Sequence, residues 1–386
     1  MKIAIVPNAF KGSLTAPQAA KCMERGFKKA VRNLAVIRVP MADGGDGTLQ
    51  AMVSATCGQV IKYFVSDPLG RRIPSTLGLT GDGGTAVIEM ALASGLALLE
   101  PDERNPLLTS SRGTGDLIKA ALDQRVKAIV IGIGGSATND GGVGMARALG
   151  AKFLDAQDRE LADNGGSLIK LSRIDLSGLD QRLKHTVISV ACDVDNPLFG
   201  PHGAAYVYSP QKGATPVMVK QLDGGLRRLA AVAQKDLGIK IANLPGAGAA
   251  GGMGAGLAAF LGAQMRPGAE TVARAIGLEA KLKGCDLVIT GEGRLDGQTA
   301  CGKAPAIVGK VAEKLGIPAI AICGSLGPGA RKVRATGITA FFSALEEPMA
   351  EKDLPLRAPG MLERCAEQVG YFIALKSKIK SINAGC

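Results

Sequence analysis

The chain has 386 residues, 46% of them hydrophobic and 21% charged, which excludes wholesale disorder and allows two domains, each with its own core. A formal net charge of +12 invites a nucleic-acid reading, but aromatics are only 3%, tryptophan is absent, and the one dense basic group is Lys376, Lys378 and Lys380. Base-stacking platforms are therefore poorly supplied, and a surface that attracts small anions explains the charge equally well.

Short apolar runs alternate with amphipathic stretches along the chain. Lys2 to Val6 reads as a buried strand, followed by a glycine loop and a helix from Ala16 to about Val31. Val36 to Val39 repeats the theme and ends in Met41-Ala-Asp-Gly-Gly-Asp-Gly-Thr48, with a helix expected after it. Ile61 to Val65 and Ala86 to Glu89 are short runs separated by turns, the start of a smaller mixed domain inserted into the first. Val126 to Ile133 breaks into Gly134-Gly-Ser-Ala-Thr-Asn-Asp-Gly-Gly142, and a helix from Val143 to Leu149 follows. Val187 to Ala191 leads to Cys192-Asp-Val-Asp-Asn-Pro197, Leu287 to Thr290 leads to Gly291-Glu-Gly-Arg-Leu-Asp296, and Ala319 to Cys323 leads to Gly324-Ser325. Strand, loop and helix in repetition predict an α/β protein with largely parallel sheet, and the glycine-rich and acidic loops follow strand carboxyl ends, where such sheets place ligands. The 53 glycines, about 14% of the chain and roughly double the usual share, mark tight turns and close backbone approach.

Five loops are candidates for chemistry. Asp43-Gly-Gly-Asp-Gly-Thr48 sets two carboxylates and a hydroxyl in a glycine loop, where Gly44 and Gly45 let amides turn toward an anion and a carboxylate can hold Mg²⁺ or take a proton. The bland alternative is a polar turn capping the next helix. Gly135, Ser136, Thr138, Asn139 and Asp140 precede a helix whose amino end favours anions, and a plain helix start needs one cap rather than four polar groups. Asp193 and Asp195, two apart in an extended segment, point the same way and need charge compensation unless one stays protonated. Lys212, in the turn Ser209 to Gly213, is either a partner for phosphate oxygens or an ordinary exposed lysine. Gly297 to Lys303 matches G-x-x-x-x-G-K, but Ala304 replaces the hydroxyl that a P-loop gives to magnesium, so it is not a Walker motif. Lys303 at a helix start, with Glu292 and Asp296 before it, still suits polyphosphate and metal.

These loops, in this order, resemble the bacterial glycerate kinase family. The resemblance runs from Pro7-Asn-Ala-Phe-Lys-Gly-Ser-Leu14 through Met41 to Thr48, Ile133 to Gly142, Ala191 to Leu198, Pro210-Gln-Lys-Gly-Ala214 and Ile289 to Asp296, and closes at Gln298 to Lys303. That family pattern often has aspartate where Asn8 stands and glutamate where Asp46 stands; Asp46 keeps a carboxylate, while Asn8 loses a charge.

The resemblance implies a two-domain enzyme that phosphorylates D-glycerate at the 2-hydroxyl, with ATP as donor and Mg²⁺ as cofactor. The architecture expected is a Rossmann-like parallel α/β domain, residues 1–65 plus 270–386, interrupted by a mixed α+β domain, residues 66–269. On phosphoryl-transfer logic, Lys11 and Ser13 take the triphosphate or the substrate carboxylate, and Asp193, with Asp43 as rival, orients or deprotonates the glycerate hydroxyl. Asp296 with Glu292 holds magnesium, Ser136, Thr138 and Asn139 bond phosphate or glycerate, and Lys212 and Lys303 offset phosphoryl charge. The expected partners are D-glycerate and ATP, with a homodimer left open and neither nucleic acid nor membrane involved. A cytoplasmic location follows from free thiols without CxxC pairs, an amino terminus that runs straight into a strand, and no apolar run of membrane-spanning length.

Two other classes stay open at this point. A dinucleotide-dependent enzyme would use Pro245 to Gly256, whose glycines mimic a nucleotide loop, although a close-packed small-residue helix explains them nearly as well. A non-catalytic binding protein would use the same aspartates to hold a cation or small anion.

Overall fold

A computed structural model of the chain describes residues 1–383, without the side chains of 351 and 376–383, so the basic group at Lys376, Lys378 and Lys380 lies outside the described side chains. Eleven strands build the two principal sheets. They are β1 (Lys2–Pro7), β2 (Ala35–Arg38), β3 (Gln59–Ser66), β4 (Arg72–Leu79), β5 (Thr85–Glu89), β6 (Ala128–Gly132), β7 (Val187–Ala191), β8 (Gln264–Arg266), β9 (Leu287–Gly291), β10 (Ala319–Cys323) and β11 (Ile338–Ser343).

The chain divides into two compact units, one formed by Met1–Asp43, Gln50–Thr56 and Val272–Cys386, the other by Gly44–Leu49 and Cys57–Thr271. The first holds a five-stranded sheet in the order β11-β10-β9-β1-β2 with every pair parallel. β1 and β9 are buried almost throughout, which is why they read as unbroken apolar runs rather than alternating ones. From β1 the chain steps outward to β2, and from β9 it steps the opposite way through β10 to β11, so the strand order reverses between β1 and β9. Loops leaving the carboxyl ends of β1 and β9 thus diverge and open a crevice there. The helix Ala16–Ala30 is started by Thr15, whose hydroxyl accepts from the Gln18 amide while the Gln18 side chain accepts from the Thr15 amide. Its buried face, with Met23 and Phe27, joins Ile3, Ile5, Ile289 and Leu362 in this unit's core.

The second unit holds a six-stranded sheet in the order β8-β7-β6-β5-β4-β3. β5 to β8 are mutually parallel, whereas β3, β4 and β5 form an antiparallel meander. The architecture is therefore a parallel α/β unit interrupted by a mixed one. β3 pairs along its whole length with β4 and falls in the second unit.

The glycines of residues 245–256 serve packing. The segment Ala249–Leu261 turns through left-handed backbone at Ala250, Gly251 and Gly252 before it continues as helix. A β-carbon on Gly251 would stand 2.1 Å from the Thr138 carbonyl oxygen, and the Gly251 carbonyl accepts from the Gly141 amide at 3.1 Å. The missing side chains let this segment lie directly on the 138–142 loop, which leaves no open glycine loop for a dinucleotide to occupy.

Candidate active site

In the first unit, a cavity of about 610 Å³ opens where the strand order reverses, lined on its polar side by the loops after β1, β9 and β10. It brings together Lys11, Ser13, Asp43, Glu292, Asp296 and Lys303 from four separate stretches of sequence. Glu292 is buried; its Oε1 accepts from the Thr299 hydroxyl at 2.5 Å. Burial pushes its carboxyl up to about 7, and neighbouring Asp43 and Asp296 act in the same direction against Thr299 and Lys303. Asp43 accepts from the Asn8 side-chain amide at 3.2 Å, a bond that an aspartate at position 8 could not donate. Asp296 accepts from the Gln298 amide at 2.9 Å. Lys303 is the N-cap of the helix Ala304–Lys314, and Ser13 donates to the Phe10 carbonyl.

Among the described residues there is no group of three or more His, Cys, Asp or Glu side chains placed to hold a metal by themselves. Magnesium needs no such cage, because one or two carboxylates with waters and substrate phosphates complete its shell. A buried acid whose proton affinity two neighbouring acids help to raise fits a dication, since like charges in a poorly solvated crevice need compensation.

The raised Glu292 has a measurable consequence for stability. The folded protein retains a proton there between the ordinary glutamate range near 4.5 and about 7, whereas the unfolded chain has lost it. Stability therefore falls as pH rises through that window, by about 3 kcal/mol for the full interval. Glu292→Gln should be the more stable protein at pH 8 and equal to the wild type near pH 4, as urea unfolding at the two pH values will register.

In the second unit, Asp140 is fully buried and accepts four hydrogen bonds, from the Ser111 amide (2.9 Å) and hydroxyl (2.7 Å) and from the Gly142 and Gly144 amides (both 3.1 Å). Burial pushes its carboxyl up, and the four donors counter that. Lys212 is sealed as well, with Nζ donating to Ser136 Oγ at 2.8 Å and to the Thr138 carbonyl at 2.6 Å. Loss of solvent lowers its ammonium to about 7, with Asp140 pulling the other way. Lys212 is thus not an exposed lysine, and its ammonium is tied to the 136–138 loop. The Thr138 hydroxyl and both polar atoms of the Asn139 side chain are buried without a protein partner, hydrogen-bonding capacity that is costly to leave unmet.

Asp193 is exposed at the carboxyl end of β7, where Oδ1 accepts from the Gly268 amide at 2.8 Å. Gly44 has φ of +91°, and a β-carbon there would meet Ala191 Cβ at 2.5 Å, so this turn of the acidic loop lies hard against the end of β7. Sequence reasoning missed Glu89, Thr299 and Ser111. Glu89 closes β5, is buried, and accepts from the Leu49 amide at 2.7 Å; an acid ending an apolar strand was its one visible signal. Thr299 and Ser111 carry no signal in sequence, since each matters only through the carboxylate it contacts.

Comparison with known proteins now decides the family. The Glycerate kinase family matches residues 3–374. The chain belongs to the glycerate kinase family. It is 51% identical over 345 residues to the glycerate 2-kinase of Escherichia coli K12, covering 89% of this chain and 91% of that one. It is 47% identical over 375 residues to a glycerate kinase of Bacillus subtilis 168, covering 97% and 98%. A solved Salmonella typhimurium LT2 structure assigned as a glycerate kinase 2 superposes with TM-score 0.91 at 47% identity, covering 98% of this chain and 99% of that one. Among the described residues no helix is long and apolar enough to cross a membrane.

Proposed function

We propose that this glycerate kinase transfers the γ-phosphoryl group of ATP to the 2-hydroxyl of D-glycerate, giving 2-phospho-D-glycerate and ADP. The observation that carries the reading is the crevice at the strand-order reversal, where Glu292, Asp43 and Asp296 share one cavity with Lys11 and Lys303. Such a mixture of acids and lysines suits a polyphosphate with its dication better than either alone. Asp296 and Glu292 would hold Mg²⁺, which when bound supplies charge neutralisation for the phosphate oxygens. Lys11 and Ser13 bind the triphosphate, and Lys303 offsets the charge that develops on the transferred group. Asp193, of the second unit, orients the glycerate hydroxyl and takes its proton; Asp43, of the first unit, is the rival base. Asn139 and Thr138, which lack protein partners, supply hydrogen bonds to glycerate or phosphate, and Lys212 acts on them through Ser136 and the Thr138 carbonyl. The identity of the E. coli relative as a glycerate 2-kinase favours the 2-hydroxyl.

Product analysis by phosphorus NMR tests the reading: the phosphate should appear on C2, and phosphate on C3 would refute the position. Absence of turnover with glycerate and a panel of related hydroxy acids would remove the activity itself. Lys303→Ala should lower kcat/KM by about 10- to 1000-fold, some 1.4–4 kcal/mol, with the fold intact by circular dichroism. Unchanged kinetics would make Lys303 a helix-capping surface charge.

A further inference from the structure

The cavity of the first unit has a second half that the phosphoryl chemistry does not use. The same cavity is also lined by Leu345, Met349, Leu354, Ala358 and Met361, contributed by the stretch after β11 and by the following helix, Leu354–Asn383. These side chains carry no hydrogen-bonding group beyond a thioether. The Leu345 amide is already spent on the Gly324 carbonyl. Two ion pairs hold the stretch against the helix: Arg364 donates from Nε and Nη2 to the two Glu346 oxygens at 2.7 and 2.8 Å, and Arg357 donates to Glu347 at 2.5 Å. Leu345 stays exposed and Met349 half-buried, so this apolar wall faces open space.

We infer that this wall is the binding site for the base and ribose of a nucleoside triphosphate, held by apolar contact rather than by side-chain hydrogen bonds. A cavity with an apolar half and an acid-and-lysine half is matched by a ligand that is flat and weakly polar at one end and a magnesium polyphosphate at the other. Glycerate, with a carboxylate and two hydroxyls on three carbons, offers nothing to an apolar wall. The volume, about 610 Å³, lies in the range of sites that enclose ligands of nucleotide size. A wall without side-chain donors or acceptors separates one purine from another weakly, because no buried polar group is left unpaired by the wrong base. The inference rests on the proposed use of a nucleotide donor, and its test separates the two.

Leu345→Asp and Met349→Asp place a carboxylate on the wall at positions open enough to accept it without unfolding. Each should raise KM for ATP by about 10-fold or more while KM for D-glycerate stays within about twofold. GTP should replace ATP with kcat/KM within about 10-fold. Photolabelling with 8-azido-ATP, followed by peptide mapping, should mark residues 344–362 of the wild type whether or not glycerate turns over. A rise in the glycerate KM instead, label confined to other peptides, or a preference for ATP over GTP beyond about 100-fold would overturn the inference and leave the kinase reading intact. Label on 344–362 without glycerate turnover would uphold the nucleotide wall and remove the proposed acceptor.

Discussion

Asp193→Asn should lower kcat by about 10²–10⁴ while nucleotide binding survives. The substitution keeps the shape of the side chain and an oxygen for the Gly268 amide, but it removes the capacity to take a proton. Asp193 stands at the exposed carboxyl end of β7, so the change costs little stability and the loss reads on chemistry. The rival assignment makes Asp43 the base and Asp193 a magnesium ligand. Magnesium titration of Asp193→Asn, Asp43→Asn and Asp296→Asn separates them. A variant that lost a metal ligand needs more magnesium for half activity and recovers part of its rate at high metal, whereas a variant that lost the base stays slow at every concentration. Recovery of Asp193→Asn in excess magnesium would remove Asp193 from the base role. Asp296→Asn should recover, because Asp296 lies in the acidic crevice beside Glu292.

Asp140→Ala should unfold the second unit at far lower urea concentration than the wild type, with a loss on the order of 4 kcal/mol or more. The carboxylate closes four buried hydrogen bonds, and its removal strands three backbone amides and a hydroxyl, each costing about 1–3 kcal/mol to leave unmet. It also removes the negative charge that supports the sealed ammonium of Lys212. Asp140→Asn, which still accepts but with a neutral oxygen, should lie between the two. If Asp140→Ala is as stable as the wild type and weakens only ligand binding, the residue belongs to the ligand and the hub argument fails. The distinction matters because the sequence reading placed Asp140 among ligand-binding groups.

The two units were visible in sequence to different degrees. The parallel sheet of the first announced itself through Lys2 to Val6, Leu287 to Thr290 and Ala319 to Cys323, because strands buried on both faces must be apolar throughout. The helix expected from Ala16 could also be placed, and its start is local chemistry, since Thr15 and Gln18 cap each other without a partner from afar. β3 was harder to place, since its pattern of half-exposed residues says only that one face is wet, and its membership depends on pairing with β4.

Residue types and loop order, by themselves, determined that this chain is an α/β protein with glycine and acid loops at strand carboxyl ends, and the ordered set of motifs carried the family. Those features are local: a strand's hydropathy, a cap and a glycine turn are set by neighbours within a few residues. Only the tertiary structure decided that Glu292 holds its proton up to about 7, that Lys212 is sealed behind Ser136, and that Asp140 is a hub. Each of these depends on desolvation and on partners 7 to 76 positions away, such as Thr299, Ser111 and Ser136. Burial and the charge of distant neighbours fix the protonation of such groups, and neither has a signature in the order of residues.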